Sequence, residues 1–338
     1  MNEGLTVAGG GLAGLALALG LRRRGVPVTV HEAAAYPRHR VCGEFISGVS
    51  GDTLSALGLV EDLADAHRHR SVSWHRKGRE LMSTELPEPA VAISRHRLDD
   101  RLRQRLESAG GVVHQKSRVA CEPRDGLVWA AGRLPTRGSW IGLKCHLLDF
   151  SMSDGLEMHL GDNGYLGLTP VEDGRVNACG LFRLDRGIRA DGSDLLLEYL
   201  RRGGNGELSE RIAAAGRDER SFLGVAGFEL GWQSGNPELC AVGDAIGMIP
   251  PFTGNGMSMA LEGAEMALQP LEEWSAGQLA WPDAVTSIHS AARSRFRRRL
   301  RHALAMHRLL LHARGQSLLE GIARSGLLPF RPLLSLVR

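Results

Sequence analysis

The sequence has few cysteines, few aromatic residues and little net charge for its 338 residues. The formal net charge of +3 gives no reason to expect a nucleic-acid partner. The cysteines are odd in number and lack a CxxC pair, which indicates a reducing compartment and argues against a structural zinc site. No His, Cys or carboxylate cluster has metal-ligand spacing, so we expect no metal. The cysteines are Cys42, Cys121, Cys145, Cys179 and Cys240.

Long hydrophobic segments, internal repeats and low-complexity linkers are also missing. The apolar stretch at 15–21 follows Glu3 rather than a basic segment, and it is too short to span a membrane comfortably. We therefore expect a cytoplasmic protein. A hydrophobic fraction of 43% and a charged fraction of 23% are ordinary for a folded protein, whose length allows two joined domains.

A glycine-rich turn follows the first apolar residues of the chain. The segment 5–14 (LTVAGGGLAG) and the apolar residues after it predict a strand, a tight turn and a helix. This GxGxxG pattern allows a sharp turn, close approach of backbone to a pyrophosphate, and close packing of helix on strand. The pyrophosphate would lie at the helix N-terminus, where free N–H groups and the helix dipole favour anions. The predicted contacts are Gly9, Gly11, Leu12, Ala13 and Gly14.

A second predicted strand, 26–32, ends in an acidic residue about 20 residues beyond the turn. Glu32 is therefore the predicted ligand of a ribose. The glycines could also be simple punctuation in a chain that contains 43 of them, in an α/β unit that binds no nucleotide. The combination of strand, turn, helix, strand and terminal acid favours nucleotide binding.

The middle of the chain predicts a different architecture. Short strands with breaks at Pro87 and Pro89 are expected over 71–93, and a helix whose apolar face carries Leu98, Leu102 and Leu106 follows. Segments between 140 and 182 then alternate with turn signals at hairpin spacing. The pattern predicts a mainly antiparallel sheet inserted between the halves of a nucleotide-binding domain.

Three separated motifs resemble the FAD-dependent oxidoreductases of the para-hydroxybenzoate hydroxylase superfamily, and within it the geranylgeranyl reductase-like branch. They are the glycine turn with Glu32, the loop 37–44 (PRHRVCGE), and Gly243-Asp244 followed by 250–256 (PPFTGNG). The resemblance implies an α/β fold with a Rossmann-type, glutathione reductase-like FAD-binding domain, an inserted sheet domain for the substrate and a helical C-terminal tail. The implied ranges are 1–68, 96–136 and 236–270 for FAD, 69–95 and 137–235 for the sheet domain, and 271–338 for the tail.

The same resemblance implies roles for individual residues. Asp244, after Gly243, would accept a hydrogen bond from a ribityl hydroxyl, and Val119 would contact adenine through its backbone. Arg95, with Arg97 as the alternative, matches an arginine near the flavin. Backbone N–H groups of Gly254, Asn255, Gly256 and Met257 would stabilise negative charge on the flavin pyrimidine. Arg40, with His39 and Glu44, is a candidate charge partner near the flavin ring, with a solvated charged loop as the alternative.

The resemblance leaves the reaction open. Cys42 is the candidate catalytic residue, with a packed, inert thiol as the alternative. One hypothesis is a reductase that moves a hydride from FAD to a C=C bond or quinone of a hydrophobic isoprenoid or polyketide substrate. Others are a monooxygenase acting on an aromatic or polyketide ring, and a non-catalytic FAD-binding protein. Residues 246–247 and Ser258 replace a His and an Asn usual in hydroxylases, which favours the reductase.

Partners follow from the same reasoning. No second GxGxxG lies downstream, so NAD(P)H would bind only transiently as electron donor, unless a separate reductase supplies the electrons. A monomer with a hydrophobic small-molecule substrate is expected. The arginine- and leucine-rich tail, 284–338, suggests either peripheral membrane contact or helices that lie on the protein itself.

Overall fold

A computed structural model describes residues 4–133, 136, 138–233, 235–325 and 329–338. Its strands form a five-stranded sheet, an eight-stranded sheet and a two-stranded ribbon. The strands are β1 Leu5–Ala8, β2 Val28–Glu32, β3 Phe45–Ile46, β4 His67–Arg76, β5 Arg79–Ala92, β6 Val112–Gln115, β7 Leu127–Trp129, β8 Trp140–Leu148, β9 Leu156–Leu160, β10 Gly164–Pro170, β11 Val176–Arg183, β12 Gly216–Phe228, β13 Gly231–Trp232, β14 Cys240–Ala241 and β15 Gly247–Met248. The helices are α1 Leu12–Arg23, α2 Gly51–Leu57, α3 Arg95–Ser108, α4 Asp194–Arg202, α5 Gly206–Ala214, α6 Gly256–Ser275, α7 Trp281–Leu310, α8 Ala313–Arg324 and α9 Phe330–Ser335.

The five-stranded sheet is parallel and has the order β14-β7-β1-β2-β6. Helix α1 is buried from Leu12 to Leu21, because α3, α6 and the sheet surround it. This explains why the segment after the glycine turn is apolar on all sides rather than amphipathic. The predicted α/β fold with a Rossmann-type domain is thus confirmed.

The eight-stranded sheet has the order β12-β8-β11-β10-β9-β4-β5-β3. Its described pairs are antiparallel except for β4 and β9, which run parallel. We call the face that carries Lys144, His146 and Asn177 the inner face. The opposite, outer face packs Leu143 and Leu166 against α4 and α5. Although β3 lies within the range 1–68 predicted for FAD binding, it pairs with β5 in this sheet.

The predicted breaks at Pro87 and Pro89 do not end a strand. β5 continues through both prolines, and its pairing with β4 changes register there, from Ser71 opposite Glu85 to His69 opposite Ala90. Proline lacks an N–H and is tolerated where ladder hydrogen bonds are interrupted. The irregularity lets one long strand form where the sequence predicts several short ones.

The C-terminal helices lie against the rest of the protein. The arginine-rich part of α7 is not wholly a solvent face, because Arg299 is buried and donates to Glu262 of α6 at 3.0 Å. Among the described residues, no helix combines the length and apolar character needed to cross a bilayer.

Candidate active site

Two glycines of the predicted turn have no room for a side chain. Gly9 has φ +114°, and a Cβ there would lie 2.5 Å from the backbone of Ala130. A Cβ on Gly14 would lie 2.0 Å from the carbonyl oxygen of Gly9. The first glycine therefore lets β1 and β7 approach the turn, and the third lets α1 pack directly on it.

The remaining glycine, Gly11, faces an open space that two guanidinium groups border, and we call this space the cradle. A Cβ on Gly11 would meet only guanidinium atoms, Arg95 Nη2 at 3.6 Å and Arg40 Cζ at 3.7 Å. Helix α1 has no side-chain cap and no acidic residue in its first turn, so the N–H groups of Leu12 and Ala13 have no intrahelical acceptor. Free N–H groups, the helix dipole and two guanidinium groups fit a diphosphate.

A buried group of ions, which we call the Asp99 cluster, surrounds this cradle. Arg40 and Arg95 each donate to the carboxylate of Asp99 at 2.7 Å, and Arg95 forms a second bond at 2.8 Å. Arg40 also donates to the carbonyl oxygen of Gly10 at 3.0 Å. The fully buried Asp99 therefore holds both guanidinium groups at the glycine turn. The cluster consists of Asp99, Glu32, Arg38, Arg40 and Arg95.

Glu32 lies at the turn, as expected for a ribose ligand. Its carboxylate accepts from the N–H of Gly10 at 3.0 Å, from Arg38 at 2.9 Å and from Arg40 at 3.1 Å. Burial acts to raise the pKa of Glu32, but Arg40, the N–H of Ala34 and Arg38 outweigh it and lower the pKa. The group is an anionic acceptor at neutral pH. Val119, the predicted adenine contact, is half-buried in the segment after β6.

The second landmark of the sequence packs against the same turn. Gly243 has φ +66°, and a Cβ there would lie 2.9 Å from the Cβ of Ala13 on α1. Asp244 is exposed to solvent, yet the surrounding protein raises its pKa while Arg95 and Arg133 act to lower it. The exposed carboxylate of Asp244, next to Gly243, is accessible to a ribityl hydroxyl.

The predicted flavin contacts at 254–257 lie at the N-terminus of α6. Gly254 has φ +68° and lies under the ring of Phe45, which would be 2.3 Å from a Cβ. Ser258 donates to the carbonyl oxygen of Ser47 at 2.7 Å. The side-chain nitrogen of Asn255 donates to the carbonyl oxygens of Thr253 and Val337, while its Oδ1 has no partner among the described residues. The predicted Gly256 and Met257 begin α6 here.

The loop between β2 and β3 joins these parts to the inner face of the large sheet. Asn177 on β11 donates to the carbonyl oxygen of Cys42 at 2.9 Å, and the N–H of Glu44 donates to the Cys42 sulfur at 3.4 Å. Burial raises the pKa of the Cys42 thiol, against the lowering effect of Arg95. Cys42 is thus a neutral thiol, a form that can donate a proton but is a weak nucleophile.

Glu44 anchors a second group of buried ions, the Glu44 cluster, which consists of Glu44, Lys144, His146 and His39. Glu44 pairs with His146 at 2.6 Å and with Lys144 at 3.3 Å, and all three side chains are at most 2% exposed. The Lys144 ammonium also contacts Nδ1 of His39 at 3.0 Å. Glu44 further accepts from the N–H of Arg95 at 3.1 Å, which links this cluster to α3.

The charges of the Glu44 cluster set its protonation. Burial acts to raise the pKa of Glu44, but the hydrogen bond from His146 and the charge of Lys144 outweigh it, so the pKa is lowered. Burial, and then the charge of Lys144, lower the pKa of His39 to about 4. At neutral pH Glu44 is therefore a carboxylate and His39 is neutral.

An apolar cluster covers the neighbouring part of the inner face and reaches the loop before α6. Tyr165 and Phe252 lie in it with ring centroids 6.0 Å apart, and His307 of α7 is inserted beside them. His307 is 4% exposed, and its Nε2 has no partner among the described residues. Burial, and then Arg183, lower the pKa of His307 to about 4, so the ring is neutral. An apolar ligand with one polar atom would suit this environment.

Comparison with known proteins defines the class of the site. Residues 4–148 match the family model described as the FAD binding domain. With the glycine turn, the parallel sheet and the large sheet, this match makes the protein an FAD-dependent oxidoreductase. It is an enzyme whose cofactor is FAD.

Particular relatives narrow the comparison. The chain is 28% identical to menaquinone reductase of Mycobacterium tuberculosis over 87% of its own length and 82% of the relative. Menaquinone reductase of Mycolicibacterium smegmatis is 26% identical over 90% of this chain and 85% of the relative. A geranylgeranyl bacteriochlorophyll reductase-like protein from Thermoplasma acidophilum has a similar structure, with a TM-score of 0.75, 17% identity and coverage of 99% and 95%. The structure of HpxO from Klebsiella pneumoniae, solved with FAD and uric acid, is similar with a TM-score of 0.76 and 15% sequence identity. The match covers 98% of this chain and 96% of HpxO.

The structure brings most of the predicted residues together. The glycine turn, Glu32, Arg40, Arg95 and Gly243 form one continuous set of contacts, and Cys42 lies between Arg95 and the large sheet. Arg97, the alternative to Arg95, points elsewhere and pairs with Asp173 at 3.4 Å. Sequence reasoning missed Asp99, Lys144 and His307. Lys144 lies on β8 and His307 on α7, and the local sequence pattern does not reveal which way these two side chains point.

Proposed function

We propose that the protein transfers a hydride from reduced FAD to a prenylated quinone or a similar isoprenoid, at either the quinone ring or a C=C bond. The observation that supports this proposal is the apolar cluster around Tyr165 and Phe252, which carries one unpartnered polar atom, Nε2 of His307. A long apolar chain with a carbonyl-bearing head matches that combination. The curated relatives, whose names state action on menaquinone, agree with it.

The chain's own residues would bind FAD along the path already described. The glycine turn with Arg40 and Arg95 would hold the diphosphate, Glu32 the ribose and Asp244 the ribityl chain. The N–H groups at the start of α6 would face the pyrimidine edge and favour negative charge there. FAD itself would supply two electrons as a hydride.

The reduction of a C=C bond or quinone also consumes a proton, which the protein would provide. The neutral thiol of Cys42 is the candidate donor, and its conjugate thiolate would be stabilised by the nearby Arg95 guanidinium. His307 would donate a hydrogen bond from Nε2 to a substrate oxygen when its proton is on that nitrogen. NAD(P)H is the proposed transient electron donor for the preceding reduction of the flavin.

The test is anaerobic mixing of the chemically reduced holoprotein with a short-chain menaquinone. We expect flavin reoxidation, with either quinol or a product two hydrogens heavier in its side chain, distinguished by mass after air oxidation. Reoxidation only by oxygen, with a hydroxylated aromatic product, would overturn the proposal and make the protein a monooxygenase. Absence of turnover with the menaquinone would overturn the proposed substrate.

Two variants sharpen this test. His307→Leu should raise the KM for a quinone at least about tenfold, because one hydrogen bond to the substrate is worth about 1.4 kcal/mol in a dry site. Cys42→Ala should lower kcat with little change in KM, while FAD content stays normal. An unchanged kcat in Cys42→Ala would make the thiol a packing group only.

A further inference from the structure

The outer face of the large sheet carries a polar array that the flavin site does not use. On β4 and β9, His75 lies opposite His159, and Ser73 lies opposite Glu157. On the other side of β4, Glu80 of β5 lies opposite His75. Because paired residues point to the same face, these side chains form two adjacent rows on one surface.

Within this array three ligand atoms converge. One nitrogen each of His75 and His159 and one oxygen of Glu157 lie within 4.8 Å of one another. Nε2 of His159 is 2.9 Å from Glu157 Oε2, and the two imidazole rings stack at 4.6 Å. His159 is 3% exposed and Glu157 is 8% exposed. Two imidazoles and a carboxylate are a ligand set that Zn²⁺ takes in proteins, at about 2.0–2.2 Å from each.

The surroundings leave space for a further ligand and a path to it. A cavity of about 80 Å³ adjoins Glu157 and His75 and is lined by hydroxyl and acidic groups. Glu80 and Asp154 at its rim are exposed, so an ion can enter from solvent. The cavity is large enough for water at an open coordination position. Its lining includes Ser71, Ser73, Ser83 and Ser153.

The charges at the array also suit a cation. Glu157, Glu80 and Asp154 line the cavity, and the guanidinium of Arg211 acts on both His75 and Glu157. Nε2 of His75 lies 2.9 Å from the hydroxyl of Ser73, so a polar side chain adjoins this ligand.

A comparison within the molecule separates this group from a similar one. His39, Glu44 and His146 also bring their ligand atoms within 4.8 Å. There, however, the Lys144 ammonium already contacts both Glu44 and His39. No Lys or Arg of the described chain makes a hydrogen bond or ion pair to His75, Glu157 or His159. The Lys144 ammonium thus occupies the group of His39, Glu44 and His146, whereas no described Lys or Arg pairs with the group of His75, Glu157 and His159.

We propose that His75, Glu157 and His159 bind one divalent transition-metal ion, best matched by Zn²⁺. The ion would join β4 to β9, the one parallel pair among the described strands of this sheet. That pair is where the β3-β5-β4 part of the sheet meets the β9-β10-β11-β8-β12 part. The metal would thus stabilise the junction between two parts of the sheet, independently of the flavin.

The experiment uses full-length, FAD-loaded protein that has been treated with a chelator and dialysed. Calorimetry with Zn²⁺ and visible spectroscopy with Co²⁺ should show one equivalent bound, together with a rise in Tm on Zn²⁺ addition. His75→Gln and Glu157→Gln should each weaken Zn²⁺ binding at least tenfold and abolish the Tm rise, with FAD content unchanged. His39→Gln, the matched control in the other group, should bind Zn²⁺ like the wild type.

Three results would overturn the proposal. They are no Zn²⁺ or Co²⁺ binding by the wild type, binding that survives in both His75→Gln and Glu157→Gln, or binding lost in His39→Gln. The half-exposed His75 can be replaced with little risk to folding, so its variant keeps the test decisive if Glu157→Gln fails to fold.

Discussion

The Asp99 cluster and the Glu44 cluster both take residues from the loop between β2 and β3, yet they are built differently. In the Asp99 cluster, Arg38 and Arg40 are 33% and 21% exposed, and the guanidinium of Arg40 also faces the open turn at Gly11. In the Glu44 cluster, the Glu44 and Lys144 side chains are both 0% exposed and complete each other's charge. An accessible excess of positive charge suits the binding of an anion, whereas a closed ion pair suits the fixing of a loop to a sheet.

This difference separates binding from folding along the loop. Arg40 belongs to the binding end and Glu44 to the fixing end, with Cys42 between them. Replacement of a central carboxylate should therefore cost FAD affinity at one end and stability at the other. The following predictions test that division.

The largest effect is expected for Glu44→Ala. It leaves the fully buried Lys144 without its carboxylate, and removal of one partner of a buried ion pair costs about 3–5 kcal/mol. The measurement is the free energy of unfolding in urea. Glu44→Gln, which keeps the size and one hydrogen-bond acceptor, should lose less. Equal stability of Glu44→Ala and wild type would remove the distinction between the two clusters.

Two alanine substitutions in the glycine turn should differ in kind. In Gly14→Ala the methyl group overlaps the carbonyl oxygen of Gly9, so we expect a loss of about 1–3 kcal/mol of stability and of bound FAD. In Gly11→Ala the methyl group has room in the protein but occupies the cradle. That variant should unfold like the wild type and bind FAD about tenfold more weakly. Thermal unfolding of the apoprotein and FAD titration measure the two effects, and normal FAD affinity in Gly11→Ala would argue against the cradle.

Asp99→Asn tests the binding end of the loop. It removes the charge and one acceptor oxygen that hold Arg40 and Arg95, so the guanidinium groups should lose their alignment over the turn. We expect FAD affinity to fall about tenfold, or about 1.4 kcal/mol. Arg97→Ala, on the same helix but away from the turn, is the control. A larger loss of stability than in Glu44→Ala would contradict the proposed division.

The smallest effect concerns the dependence of stability on pH. The pKa of His39 is lowered from 6.5 to about 4, so the unfolded state binds a proton that the folded state does not between these pH values. Stability from this group is complete above pH 6.5 and declines as the pH falls towards 4. In this pH range, His39→Gln should reduce the slope of the unfolding free energy against pH by the amount that corresponds to up to about one bound proton. An unchanged slope in His39→Gln would contradict the lowered pKa of His39.

Below about pH 4.5 the Glu44 carboxylate adds to the same trend, because its pKa is lowered and its contribution disappears as it is protonated. Glu44→Gln should therefore flatten the acid limb of the curve below the range in which His39 acts. An unaltered acid limb in Glu44→Gln would show that this ion pair does not govern acid unfolding.

The parts of the site that depend on local geometry could be predicted from the sequence. Gly9 and Gly14 are needed because a turn between strand and helix brings backbone within 2.5 Å of their missing side chains, and their spacing follows from that turn alone. Glu32 follows because a parallel strand places its last residue at the same edge as the turn. The helix with Leu98, Leu102 and Leu106 buried follows from periodicity.

Local pattern was insufficient where a contact joins distant segments. Asp99 is a polar residue within a helix whose function depends on Arg40, 59 positions away. Lys144 reaches Glu44 only because β8 lies in the sheet so that its polar side chain points inward. The prolines of β5 were expected to end strands, but the partner strand changes register there and the strand continues.

The sequence by itself determined that the chain binds a dinucleotide through a strand, turn and helix, because those features need only neighbours in the chain. The tertiary structure decided which charged groups are buried in ion pairs and which remain accessible to a ligand. Lys144 fills one group of two histidines and a carboxylate, and none of the described cations fills the other at His75, Glu157 and His159. Sheet register, set by pairings far apart in the chain, brings those atoms together, and no local spacing encodes it.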